Sequence, residues 1–168
     1  AGSYRLWTAS VYVYNEFKKN GWILGTGLRS SLYNNTDRSV FTLEPRINLT
    51  KFLGRADKLM LAYDRTSQPT HSIYETNYNM QSDFWVPFKE KNVPTADQLS
   101  LGWKNFALTN WELSIEAYYR KMKNLIRINN LENYLDAGID YSKGTGDAYG
   151  MEFMVQYNKN RFSGWFSY

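Results

Sequence analysis

The sequence has no cysteine, little proline and no long hydrophobic run. Its 168 residues include 0 Cys and 4 Pro, which excludes disulfides, thiolate metal sites and a cysteine nucleophile. No stretch of apolar residues is long enough for a transmembrane helix, and the mean hydropathy is −0.58. These features do not exclude a transmembrane barrel, because the strands of such a barrel are half polar. The chain also lacks a long block of like charges, which argues against disorder.

A basic face is missing as well. The net charge is +4 with a pI near 9.1, but Lys and Arg are scattered among Asp and Glu, so we expect no nucleic acid partner. Residues 1–6 have neither the basic segment nor the apolar segment of a signal peptide. The length suggests one domain, and we expect a mature or truncated piece of a protein.

Aromatic residues are abundant, and apolar and polar side chains alternate along the sequence. Aromatics make up 17% of the chain, and residues 111–120 alternate strictly between apolar and polar side chains. A period of two is typical of a strand, because a helix would place Glu112 on the same face as Ile115. The segment 111–128 exceeds the usual five or six residues of a strand. It has the length of a tilted membrane-spanning strand, about 9–11 residues plus overhang.

The same pattern predicts eight strands, at residues 5–18, 22–33, 40–51, 58–67, 98–106, 111–128, 147–158 and 162–168. Pro45 lies inside the third strand, where ten residues of alternation outweigh one missing hydrogen-bond donor. Short turns are predicted at 19–21, 53–57, 107–110 and 158–161. A short loop is predicted at 34–39, and long loops at 68–96 and 129–146. The predicted fold is all-β, an antiparallel up-and-down transmembrane β-barrel.

Two regularities favour a membrane barrel over a soluble sheet with an aromatic core. Connections on one side are all short, while two of three on the other side are long, as in outer-membrane barrels. Aromatics also flank the short turns on the apolar face, where they would form an interfacial girdle: Phe17, Trp22, Trp103, Trp111, Tyr157 and Phe162. The predicted location is the bacterial outer membrane, with its lipid as a partner.

The charged face opposite the apolar positions would line the lumen of such a barrel. Its residues are Glu44, Arg46, Glu112, Glu116, Arg120 and Glu152. Paired Glu and Arg side chains suit either a packed ion network or the wall around a plug.

The long loop at 68–96 is the candidate ligand-contacting segment, since loops carry binding on a rigid scaffold. Its aromatics suit stacking on a sugar, a porphyrin or an aromatic chelate: Tyr74, Tyr78, Phe84, Trp85 and Phe88. Alternatively, these rings pack on the barrel rim and only order the loop. No metal or cofactor site is predicted, because the single His71 has no second His or Cys nearby. No Ser/His/Asp set can be assembled, so the chain is predicted not to be an enzyme.

Five short motifs together resemble TonB-dependent outer-membrane receptors of the Bacteroidetes type. They are LEPR at 43–46, DQLSLG at 97–102, EAYYRKMKNLI at 116–126, GMEF at 150–153 and SGWFSY at 163–168. The resemblance covers nearly the whole chain in matching order. It implies a 22-stranded barrel with an N-terminal plug and a TonB-contacting segment. Residues 1–168 would then be a partial barrel domain of about eight consecutive strands, without the plug.

The function implied by this resemblance is TonB-energised uptake of a scarce nutrient: a siderophore, haem, cobalamin, a glycan or a peptide. The implied partners are the TonB complex, reached through an N-terminal region absent from this chain, and a small-molecule or oligomeric nutrient. A surface lipoprotein is a further candidate partner, and no cofactor is implied. Two alternatives stay open at this point. One is a self-standing eight-stranded barrel with a structural or adhesive role. The other is an outer-membrane enzyme, which would need a nucleophile or acid pair on one rim.

Overall fold

A computed structural model of the chain describes residues 5–35, 38–77, 80–87, 93–130 and 140–168. Its regular elements are ten strands. These are β1 (Leu6–Lys19), β2 (Trp22–Asn35), β3 (Ser39–Leu53), β4 (Asp57–Ser67), β5 (Thr70–Asn77), β6 (Met80–Pro87), β7 (Thr95–Asn105), β8 (Trp111–Asn130), β9 (Asp140–Lys159) and β10 (Phe162–Ser167). Within those ranges, no helix has the length and apolar character needed to cross a membrane.

Eight of the strands form one antiparallel sheet in the order β1-β2-β3-β4-β7-β8-β9-β10. Each strand therefore pairs with its neighbour along the chain, apart from β4, which pairs with β7. This confirms the predicted eight-stranded up-and-down arrangement. The sheet is open, because β1 and β10 are not paired with each other in the described residues.

The remaining two strands correct the prediction of a long loop at 68–96. β5 and β6 pair antiparallel as a separate sheet, with Ile73 opposite Phe84. Sequence analysis missed them because neither eight-residue segment alternates cleanly, and polar residues such as Glu75 and Asp83 break the apolar pattern. Of the loop's candidate aromatics, Tyr74, Phe84 and Trp85 lie on these strands, while Tyr78 and Phe88 lie outside the described residues.

The predicted loop at 129–146 is also shorter than expected. β9 begins at Asp140, and its ladder with β8 continues to the pair Asn130 and Asp140. Gly144 and Gly146 suggested a loop, yet they are strand residues whose pairing with β8 outweighs their low strand propensity. The register shifts between Met122 and Leu125. That irregularity contains Asn124, whose φ of 57° is typical of a bulge.

Tight turns join the strands at one end of the sheet. Asn20 and Gly21 have φ angles of 50° and 76°, and Gly54, Asn110 and Asn160 are also left-handed. Asn and Gly tolerate this conformation, which is why the turns form at these positions. We call this side the short-turn end and the opposite side the outer end.

Tyrosines on one face of the sheet lie over glycines of the neighbouring strand. A Cβ atom on Gly25 would stand 2.5 Å from the Tyr14 hydroxyl, and one on Gly150 would stand 2.9 Å from the Tyr118 hydroxyl. The Tyr12 and Tyr14 rings stack with centroids 6.4 Å apart. The glycines are needed because any side chain there would displace the rings from the sheet surface.

Candidate functional site

An apolar row crosses seven strands of the main sheet. It runs through cross-strand partners on one face: Phe17, Leu24, Leu49, Leu61, Leu101, Ala117 and Met151. Many large side chains on this face are exposed, for example Met151 at 72% and Phe17 at 61%. We call it the apolar face. Exposed apolar surface on this scale needs an apolar neighbour.

On β1 and β9, near the two sides of the sheet, the apolar stretch has a defined length and charged limits. On β1 it extends from Trp7 to Phe17, with Asn15 as a polar interruption, and is bounded by Arg5 and Lys19. On β9 it extends from Tyr149 to Tyr157 and is bounded by Asp147 and Lys159. These stretches are about 9–11 residues long, which is the length of a tilted strand that crosses a bilayer.

The apolar stretch lies nearer the outer end on the β1 side of the sheet than on the β9 side. The midpoint on β1 lies on the outer side of the apolar row, while the midpoint on β9, Phe153, lies on its short-turn side. The midpoints on β1 and β9 are therefore offset from each other by about 7 residues over six strand steps. This is roughly 23 Å along the strands and roughly 29 Å across them. The apolar stretches form one level band only if the strands are tilted by roughly 40°. Transmembrane barrels have strand tilts of about 35–45°.

Aromatic and charged residues mark both limits of this band. At the short-turn end, the Trp111 and Tyr157 rings lie 4.7 Å apart, and the Lys51 ammonium lies 4.6 Å from the centroid of Trp22. At the outer end, cross-strand partners form a charged row of Arg65, Asp97, Lys121 and Asp147. The Arg65 guanidinium donates two hydrogen bonds to Asp97, at 2.7 and 3.1 Å. The charged row lies two residues beyond a row that includes Tyr63, Tyr119 and Tyr149.

The six charged residues predicted for the lumen all lie on the opposite side of the sheet, which we call the polar face. Their positions along the strands put all six on this face, although only Glu116 and Glu152 are direct cross-strand partners: Glu44, Arg46, Glu112, Glu116, Arg120 and Glu152. Within the described residues these six form no ion pair with one another, although Glu44 pairs with Arg29 of β2 at 3.9 Å. Instead, Glu112 accepts from Lys104 at 2.6 Å, and Arg120 donates to Gln98 at 2.8 Å.

Glu44 is the one buried carboxylate among these six, with 2% of its surface exposed. It accepts hydrogen bonds from the Tyr33 hydroxyl at 3.3 Å, from Thr42 at 3.5 Å and from Ser67. The Arg29 guanidinium is 3.9 Å away. A buried carboxylate needs such donors, since burial without them is costly. Glu44 therefore joins the outer parts of β2, β3 and β4.

A small buried cluster lies beside Glu44. Tyr33, Val40 and Val93 are each 9% exposed or less, and Leu6 packs against them. The segment that leads into β7 is thereby held at the outer end of the sheet, where the Asn124 amide also donates to the Val93 carbonyl at 3.4 Å. Sequence analysis missed this cluster, because its members come from three separate strands and one connection.

Glu116 and Glu152 form a like-charge pair on the polar face. They are direct cross-strand partners on β8 and β9, an arrangement that destabilises a sheet. Neither has a cation within ion-pair distance among the described residues. Both line a cavity of about 250 Å³ together with Met60 and Met154. The pair is therefore exposed to whatever fills the space on this side of the sheet.

No set of three or more His, Cys, Asp or Glu residues in the described ranges could hold a metal ion.

Comparison with known proteins gives a likeness in fold. No protein-family model matches the chain, and no curated protein matches it. The crystal structure of the siderophore receptor PirA from Pseudomonas aeruginosa is similar, with a TM-score of 0.66 and 15% sequence identity. The match covers 96% of this chain and 34% of PirA, so the chain spans about a third of that receptor's length. The likeness shows the fold, an antiparallel up-and-down β-sheet similar to part of the PirA structure.

Proposed function

We propose that this chain is part of the β-barrel wall of a TonB-dependent receptor in the bacterial outer membrane, which takes up a scarce nutrient. The tilted apolar band carries the proposal. A strand tilt of roughly 40°, obtained from side-chain chemistry and register alone, agrees with transmembrane barrels. The likeness to a siderophore receptor supports the same function, and the five motifs of the sequence support the TonB-dependent class.

The open edges of the sheet support a partial barrel over a self-standing one. β1 and β10 each leave one edge without a partner in the described residues, and unpaired backbone groups are not tolerated in the hydrocarbon layer. Further strands of the same barrel would pair with them. Residues 1–168 are then a partial barrel domain, and the plug and TonB-contacting segment belong to other parts of the protein.

The polar face is suited to surround a plug. Glu116 and Glu152 face each other without a cation in the described part of the chain, and Arg46 forms no ion pair there. Charged side chains of the barrel wall that lack a partner can be paired by opposite charges on a plug. The plug would supply cations opposite the two glutamates.

The nutrient is proposed to bind at the outer end. β5 and β6 lie in the long connection there, and their sequence carries Tyr74, Phe84 and Trp85. Tyr78 and Phe88 complete the proposed ligand-contacting set. A siderophore is one candidate nutrient, alongside haem, cobalamin, a glycan or a peptide.

Uptake measurements in the bacterium that carries the protein test this function. We expect deletion of the complete gene to abolish accumulation of one labelled nutrient from a panel of ferric siderophores, haem, cobalamin, oligosaccharides and peptides. Deletion of TonB should abolish the same uptake, and restoring the gene should rescue it. If no nutrient in the panel depends on both genes, the proposed function is wrong.

A further inference from the structure

The short-turn end carries all of the chain's excess positive charge. We define a basic rim as residues 16–23, 51–58, 104–112 and 158–162. It contains eight cations and three acids: Lys18, Lys19, Lys51, Arg55, Lys58, Lys104, Lys159 and Arg161, with Glu16, Asp57 and Glu112. The rest of the chain has twelve cations and thirteen acids. The charge is therefore concentrated on one edge of the sheet.

Most of these cations have no acidic partner. Lys18 pairs with Glu16 at 2.7 Å, and Lys104 pairs with Glu112 at 2.6 Å. Asp57 accepts from Trp103 at 3.1 Å and from Asn105 at 2.7 Å instead of from a cation. In the described ranges the other six rim cations form no ion pair. They leave a concentrated positive field at this edge.

Three of the six stand on the apolar face, just beyond the end of the band. Lys19 follows Phe17, Lys51 follows Leu49 and Lys159 follows Tyr157, each by one position on that face. Lys51 lies over the Trp22 ring at 4.6 Å and donates to the Asn20 carbonyl at 3.3 Å. Aromatic rings at such a limit lie among lipid headgroups. The ammonium groups therefore lie at the depth of lipid phosphates.

We propose that the basic rim binds anionic phospholipid headgroups in the leaflet at the short-turn end, and so selects the lipid composition around the barrel. This inference rests on the membrane placement in the proposed function. Charge complementarity identifies the occupant: the rim has six unmatched cations, three of them at phosphate depth, and these attract anionic lipids, with each Lys or Arg near the surface contributing about a five-fold preference at most. Salt weakens the attraction between exposed charges.

Spin-labelled lipids test the proposal on the complete protein reconstituted in phosphatidylcholine vesicles. Electron spin resonance measures the motionally restricted fraction of labelled phosphatidylglycerol and of labelled phosphatidylcholine with the same acyl chains. We expect the wild-type protein to restrict more phosphatidylglycerol. The double variant Lys19→Gln and Arg55→Gln should lower the logarithm of that selectivity ratio by roughly a third, since two of six unmatched cations are removed and their free energies add.

Matched variants separate rim binding from general electrostatics. Lys121→Gln with Lys123→Gln removes two exposed cations near the outer end and should leave the ratio unchanged, while Lys19→Arg with Arg55→Lys should keep the wild-type value. Equal restriction of both lipids by the wild-type protein would overturn the proposal but leave the membrane placement intact. An equal loss in the outer-end variant would overturn it as well. If neither lipid is restricted, the membrane placement fails, and the proposed function fails with it.

Discussion

The most direct perturbation of the apolar face is a charge at its centre. On β8 the apolar stretch runs from Trp111 to Tyr119, and Ile115 is its midpoint. Four residues separate Ile115 from each limit, which at a tilt of 40° is roughly 10 Å of depth on either side. The lipid-facing band of such barrels is about 25 Å tall. In the proposed membrane placement, Ile115 therefore lies near the bilayer midplane.

Replacing Ile115 with Arg should lower the free energy of unfolding from the membrane by about 2–4 kcal/mol, the cost of Arg at the midplane of a barrel. The control Glu116→Arg introduces the same side chain one residue away on the polar face. There it would stand opposite Glu152, so we expect a cost well below 1 kcal/mol or a small gain. Ile115→Ala measures the loss of side-chain contacts without a charge.

Equilibrium urea unfolding of the complete protein in vesicles measures these differences, with tryptophan fluorescence as the signal. The reasoning holds if Ile115→Arg is the most destabilising of the three variants. It is refuted if Glu116→Arg costs as much as Ile115→Arg, because the two faces would then be assigned wrongly. It is also refuted if Ile115→Ala accounts for the whole effect.

Two further predictions concern Glu44 and the outer connection. Glu44→Ala should lower the free energy of unfolding by about 2–3 kcal/mol in the same assay, because Tyr33 and Ser67 lose a charged acceptor. The control Glu152→Ala should cost little, because it relieves repulsion with Glu116. Equal losses of unfolding free energy in the two variants would argue against a special role for Glu44. Trp85→Ala should weaken nutrient binding without changing the melting temperature if Trp85 contacts the ligand, while a lower melting temperature with intact binding would show that Trp85 only orders the connection.

Local sequence was sufficient to predict the face on which strand side chains lie and the positions of the turns. The alternation around Ile115 assigns the side chains of residues 111–120 to a face, because a strand has a period of two. Asn20 and Gly21 mark a turn through their tolerance of positive φ angles. Both signals lie within a few neighbouring residues, and the structure confirms both.

Contacts between distant residues could not be predicted in this way. Glu44 is buried by Tyr33 and Ser67, which come from different strands, and nothing in LEPR at 43–46 indicates that environment. The start of β9 was misplaced because Gly144 and Gly146 suggest a loop when considered alone. Their strand conformation depends on pairing with β8, so it is a property of the sheet and not of the segment.

In the proposed larger barrel, the displacement of the apolar stretches also specifies the register of the strands that flank this sheet. An offset of about 7 residues over six strand steps is a stagger of slightly more than one residue per strand. A strand that pairs with the free edge of β1 must carry its lipid-facing segment about one residue further toward the outer end. A strand that pairs with the free edge of β10 must carry it about one residue further toward the short turns. The shear of the complete barrel is therefore already set within these eight strands, and it can be checked against any sequence proposed to flank them.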